Sequence, residues 1–149
     1  MQLAAKIAAC SAVLLAVVLA DAGISTAQPM PKPVLVLLGQ ELFQTSGKQW
    51  VRYRYFVENA DAYPNALFAA APNLPPCGLN TKAARTWVDF FDKAGKRLNG
   101  FCALGGNKDL NGIWFALEVG IIPPSYVSIE MTDRQTNTKV KSNEADTTL

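Results

Sequence analysis

The sequence predicts an all-β domain: an antiparallel Greek-key β-sandwich stapled by one intradomain disulfide. Three observations carry that expectation. Apolar and polar residues alternate strictly over several short stretches, turn-forming residues punctuate the chain between them, and no long segment carries a helical period. The expected disulfide rests on a single pair of cysteines, Cys77 and Cys102, left once an N-terminal leader is set aside.

That leader is residues 1–27. Lys6 supplies a positive charge, residues 7–20 (IAACSAVLLAVVLA) are uninterruptedly apolar, and Ser25-Thr26-Ala27 precedes Gln28-Pro29. A charged start, an apolar run and a small-residue cleavage site read as a secretory signal peptide. The run is shorter than the about 20 residues a membrane span needs. Cleavage is expected after Ala27, with Ala22 as a second site. Cys10 leaves with the leader, and most of the apolar run follows it rather than preceding it, which excludes a lipoprotein box.

What remains is one domain's length of chain. Net charge is +2, from 14 basic and 12 acidic residues, and Lys6 and Asp21 depart together, so the balance is unchanged. The charges are scattered. Nucleic acid and anionic membrane both want a basic stripe, so neither is an expected partner. The setting implied is periplasmic or secreted, with no membrane span after cleavage, and the domain is expected to be a monomer.

The elements follow in order. Residues 28–33 (QPMPKP) form a proline-punctuated, flexible lead-in. Residues 34–38 (VLVLL) begin a first strand that Gly39 interrupts before Leu42 and Phe43. Thr45-Ser46-Gly47-Lys48 turns the chain. In residues 50–58 (WVRYRYFVE), Val51, Tyr53, Tyr55 and Val57 form one row, and Trp50, Arg52, Arg54 and Phe56 the other. Residues 65–71 (NALFAAA) suit either a helical turn or a short strand, and Pro72, Pro75 and Pro76 interrupt regular structure up to Cys77. Ile113, Phe115, Leu117 and Val119 make another inward row, as do Val127, Ile129 and Met131. Tyr126, after a proline turn, is a candidate tyrosine corner, although out of phase with that row. A four-residue loop over 134–137, with Asn137 left-handed, sets Met131 opposite Val140 and Thr132 opposite Lys139. Apolar then meets apolar and polar meets polar. The domain is expected to run over residues 34–142, with 143–149 a polar tail. Six or seven short strands of this kind match an immunoglobulin- or fibronectin-III-like sandwich.

At the centre, Asp92-Lys93-Ala94-Gly95-Lys96 fits a three-residue hairpin loop with Gly95 left-handed. Closing it with Asp92 opposite Lys96 pairs Phe90 with Leu98, Val88 with Gly100 and Thr86 with Cys102 on the core face. The other face then carries Trp87 with Phe101, Asp89 with Asn99 and Phe91 with Arg97. Linking Cys77 to Cys102 closes a long loop, worth about 3 kcal/mol on the chain-entropy model.

Composition also limits the chemistry. The chain has no histidine, which removes Ser-His and Cys-His nucleophile systems and the commonest zinc ligand. Asp89 and Glu118 are the candidate carboxylate pair for a hydrolase. Asp109-Leu110-Asn111-Gly112 resembles part of a calcium loop but lacks the other ligands, so it reads as a turn. No cofactor and no metal site is expected. The candidate binding surface is instead the outward row Trp87, Asp89, Phe91, Arg97, Asn99 and Phe101, rigid aromatic area beside hydrogen-bonding groups that suits a protein or carbohydrate ligand. Trp50, Arg52, Arg54, Trp114 and Glu118 would extend it if their strands shared its sheet.

The runs Pro76-Cys77-Gly78, Arg85-Thr86-Trp87-Val88-Asp89, Gly100-Phe101-Cys102, Ile113-Trp114-Phe115-Ala116-Leu117, Ser125-Tyr126-Val127 and Glu130-Met131-Thr132-Asp133-Arg134 resemble a group of small exported bacterial proteins of unassigned function. The resemblance implies a periplasmic or secreted setting and brings no ligand or activity with it. The sequence therefore points to a non-catalytic binding or structural module of the bacterial cell envelope. An inhibitor or accessory subunit of a secreted enzyme, working through a loop such as residues 72–80, is the alternative.

Overall fold

A computed structural model describes residues 29–76, 83–102 and 105–148. The strands are β1 (Leu35–Thr45), β2 (Lys48–Val57), β3 (Thr86–Asp92), β4 (Arg97–Cys102), β5 (Ile113–Glu118), β6 (Tyr126–Asp133), β7 (Thr138–Lys141) and β8 (Ala145–Asp146). They form two antiparallel sheets. One has the order β1-β2-β5, the other β4-β3-β6-β7, with β8 pairing a different stretch of β6. Three short 3-10 turns, Ala60–Ala62, Asn65–Phe68 and Asn107–Gly112, lie in the connections.

The alternating rows explain why the sheets meet. Tyr53, Tyr55 and Val57 of β2, Ile113 and Phe115 of β5, Val88 and Phe90 of β3, and Val127, Ile129 and Met131 of β6 are all buried in one cluster. Rings bridge the two sheets: Tyr55 and Phe115 lie 5.4 Å and 5.7 Å from Phe90. Leu110, from the last 3-10 turn, is fully buried in the same core. Residues 65–68, open between helix and strand in the sequence, take the 3-10 form.

Two hairpins agree with their sequence patterns. Met131 pairs with Val140 and Thr132 with Lys139, and Asn137 has φ 57°. Gly39 marks a bulge in β1, where the pairing shifts between Leu37 and Gly39. Tyr126 is exposed with Lys93 over its ring, so it is not a buried corner.

The central hairpin corrects its expected register. The loop closes as expected, with Asp92 N–H donating to the Lys96 carbonyl, Gly95 at φ 82° and Phe91 opposite Arg97. A β-bulge then shifts the pairing by one residue. Phe90 faces Asn99, Asp89 faces Gly100, Val88 faces Phe101 and Trp87 faces Cys102. The physical reason is side-chain size. The expected register spends an inward position on Gly100, which buries nothing, whereas the bulge turns Phe101 inward against Phe90 and the core. Leu98 remains inward at the bulge itself.

Both ends of the described domain are tied down more than composition suggests. Asn59 binds the lead-in at the Val34 N–H and the Lys32 carbonyl, and the buried Tyr63 hydroxyl donates to the Pro31 carbonyl at 2.7 Å. Residues 143–147 are not a loose tail. Asn143 exchanges hydrogen bonds with both the N–H and the C=O of Leu35, and Ala145 and Thr147 are buried. The expected Cys77–Cys102 bridge lies outside the described residues, because Cys77 does.

Candidate functional site

The outer face of the five-stranded sheet carries four of the six residues singled out by the alternation: Trp87, Asp89, Phe91 and Arg97. Strand β3 places Trp87, Asp89 and Phe91 on that side because Thr86, Val88 and Phe90 occupy the core side. Asp89 organises the group. Its Oδ1 accepts from Trp87 Nε1 at 2.8 Å and from Arg97 Nε at 2.6 Å. The guanidiniums of Arg97 and Arg134 each lie 5.8 Å from the centre of the Trp87 ring. Arg134 is anchored by donating to the carbonyls of Ala84 and Pro75.

Gly100 makes this arrangement possible. It lies directly across from Asp89, and a Cβ there would overlap the Asp89 carboxylate and the Arg97 guanidinium. The absent side chain is therefore the floor on which the ion pair rests. On the other side of β3, Asp89 faces Glu130, whose carboxylate takes the Lys139 ammonium at 2.8 Å. That contact raises the Lys139 pKa, through the hydrogen bond to Glu130. The face thus runs Arg97, Asp89, Glu130, Lys139 in alternating pairs of charge beside one tryptophan.

Asn99 and Phe101 do not belong to this face. The bulge turns both toward the seam between β4 and β5. Asn99 Nδ2 donates to the Trp114 carbonyl at 2.7 Å, and the Phe101 ring packs edge-on against Trp114 at 5.8 Å. The proposed extension also fails, because Trp50, Arg52, Arg54, Trp114 and Glu118 lie on the outer face of the other sheet. There Arg52 is sandwiched between Phe43 at 4.6 Å and Trp114 at 4.7 Å, and Lys48 pairs with Glu118 at 2.8 Å. Trp50 Nε1 and Arg52 Nε are buried in that stack without a hydrogen-bond partner among the described residues. The same division separates Asp89 from Glu118, so the carboxylate pair considered for hydrolysis does not converge. Asp109 accepts from the Gly105 N–H, as a turn residue does. Among the described residues, no three potential metal ligands are gathered and no helix is long and apolar enough to cross a membrane.

Sequence reasoning missed Arg134. It sits in a turn, where it reads as solvated charge, and the Ala84 and Pro75 carbonyls that aim it are distant in sequence. It also missed Arg85 and Asp133, which form a bidentate pair at 2.9 and 2.7 Å near the start of β3 and the end of β6. That pair closes because β3 and β6 are neighbours, with Thr86 opposite Asp133. The Arg85 hydrogen bonds hold the Asp133 carboxyl below the usual carboxylate range, and Asp133 raises Arg85 in turn. No protein-family model, curated protein or solved structure matches the chain.

Proposed function

We propose that this chain is a non-catalytic, exported binding module of the bacterial cell envelope, and that its recognition surface is the Trp87 face. One observation carries the reading: a tryptophan ring is held by Asp89 and flanked by two guanidiniums on a sheet surface. Tryptophan and arginine dominate the energetics of recognition surfaces, and a ring fixed in advance loses little entropy on binding. The ligand is a protein or a carbohydrate, whose planar or oxygen-rich groups match the ring and the Arg97 donors. The lack of histidine and the separation of Asp89 from Glu118 favour binding over hydrolysis.

In this reading the fold is an immunoglobulin/fibronectin-III-like Greek key. The orders β1-β2-β5 and β4-β3-β6-β7 support it, since the chain crosses between sheets after β2, β4 and β5. The signal-peptide pattern and the resemblance to small exported proteins support the setting, and Cys77–Cys102 forms the disulfide that such a setting permits. Two free thiols in the non-reduced, denatured exported chain would refute the bridge.

The functional test places a photo-crosslinking residue at Thr132, beside Trp87 on the neighbouring strand, in the exported protein of the producing organism. A discrete crosslinked partner that disappears in Trp87→Ala, while the variant still unfolds in one cooperative transition, supports a protein ligand. A glycan array read with the same variant tests the carbohydrate arm. If Trp87→Ala changes neither readout, the face is not the recognition surface.

A further inference from the structure

The structure has a concave site separate from the Trp87 face. A cavity of about 510 Å³ opens between the lead-in segment, the first two 3-10 turns and the β6–β7 turn. That volume lies within the range of small-molecule sites. Its two sides differ in chemistry. One is apolar, built from Pro29, Met30, Pro31, Pro64 and Leu67, with Met30 and Leu67 packed on the core. The other is polar and carries Arg85, Asp133, Thr136 and Thr138.

The hydrogen-bond inventory of the polar side selects the ligand. Asp133 is almost fully buried, and both its oxygens are engaged. Oδ1 accepts from Arg85 Nε and from the Gln135 N–H, and Oδ2 accepts from Arg85 Nη2. Arg85 is left with both Nη1 hydrogens and the second Nη2 hydrogen, none of which has a partner among the described residues. The Thr136 and Thr138 hydroxyls bond each other at 2.9 Å. The wall therefore offers donors, while its carboxylate is already taken up by Arg85 and the Gln135 N–H, with the Thr136 hydroxyl neighbouring it. Its charge is already balanced, so an added anion meets Asp133 close behind Arg85, and an added cation meets the guanidinium. A neutral acceptor oxygen avoids both. The proline rings and the Met30 thioether supply flat, polarisable surface for an apolar or aromatic body.

We propose that this cavity binds a neutral small molecule made of an apolar, ring-sized body and one carbonyl-type acceptor. The acceptor faces Arg85 and the Thr138 hydroxyl, whose own hydrogen is free because Thr138 Oγ1 accepts from Thr136, and the body lies against Met30, Leu67 and the prolines.

The test titrates the isotope-labelled full exported chain with benzamide, benzoate and benzylamine, following amide and arginine side-chain signals by NMR. Benzamide is expected to give saturable shifts at Leu67, Arg85 and Thr138, with benzoate and benzylamine at least tenfold weaker. Ala62 is exposed on the rim, so Ala62→Phe should block the cavity without disturbing the core, and abolish those shifts. Thr138→Val, which removes a hydroxyl from the polar wall, should weaken benzamide roughly three- to tenfold. No saturable shift with benzamide, equal binding of benzoate, or undiminished binding in a folded Ala62→Phe overturns the proposal. If Ala62→Phe does not fold, Thr138→Val decides, and unchanged affinity overturns it.

Discussion

Replacing Gly100 by Ala tests the packing of the Trp87 face at its least expected point. The backbone at Gly100 needs no glycine conformation, so ordinary reasoning predicts that Ala helps, by about 0.4–1 kcal/mol through the unfolded chain. The structure predicts the opposite sign. An added Cβ would lie 2.9 Å from Arg97 Cζ and would overlap the groups on either side of the ion pair, so Arg97 and Asp89 must move. Arg97 is 52% exposed, so losing its pair costs about 0.5 kcal/mol after solvent screening. Asp89 is only 16% exposed, and disturbing its bond from Trp87 Nε1 costs about 1.5 kcal/mol. Set against the entropy gain, the net loss is about 1 kcal/mol. Urea unfolding followed by tryptophan fluorescence reads this as a midpoint lowered by about 0.3–1 M. Repeating the substitution in an Arg97→Ala background gives the decisive comparison. With the guanidinium gone the ion-pair loss drops out while the Asp89–Trp87 bond is still disturbed, so Gly100→Ala costs about 0.5 kcal/mol less than in the native background, a coupling of about 0.5 kcal/mol. A stabilising Gly100→Ala in the native background, or strict additivity with Arg97→Ala, would refute the arrangement.

Further outcomes follow from the same contacts. Phe101→Ala should destabilise by about 2–3 kcal/mol in urea, because the ring packs on Phe90 and Trp114; a loss under about 0.5 kcal/mol would mean the ring points to solvent. Asn143→Ala should lower stability by about 1–3 kcal/mol through the lost clamp on Leu35, whereas a dispensable tail would give no change. Asp133 has a lowered carboxyl pKa in the folded state, so its contribution is fully present above the unfolded value of about 3.9 and is lost as pH falls through the folded one. Thermal melts should therefore show Asp133→Asn less stable than the native chain at neutral pH, with the gap narrowing below about pH 4; a gap independent of pH would contradict the Arg85 pairing.

What the sequence by itself determined is local and periodic. Strand alternation named the inward rows of β2, β5 and β6, except Val119, which lies past the end of β5 and is exposed, because a two-residue period assigns each side chain to a face only as far as the strand runs. Turn chemistry named Gly95 and Asn137, since a left-handed backbone favours a few residue types. The β6–β7 register was also legible, because a short loop joins the strands and both faces agree on one alignment. The β3–β4 register was legible only as far as Phe91 and Arg97. Beyond that, the bulge depends on whether Phe101 or Gly100 is worth burying, and that is decided by Phe90 and Trp114 from other strands. The tertiary structure alone decided that Trp50, Arg52 and Trp114 belong to the opposite sheet, since hydrogen-bonded order between distant strands leaves no mark in either strand's own pattern. It alone aimed Arg134 at Trp87 and joined Arg85 to Asp133, because a charged side chain far from its partner in sequence is indistinguishable from a solvated one until the fold brings the two together.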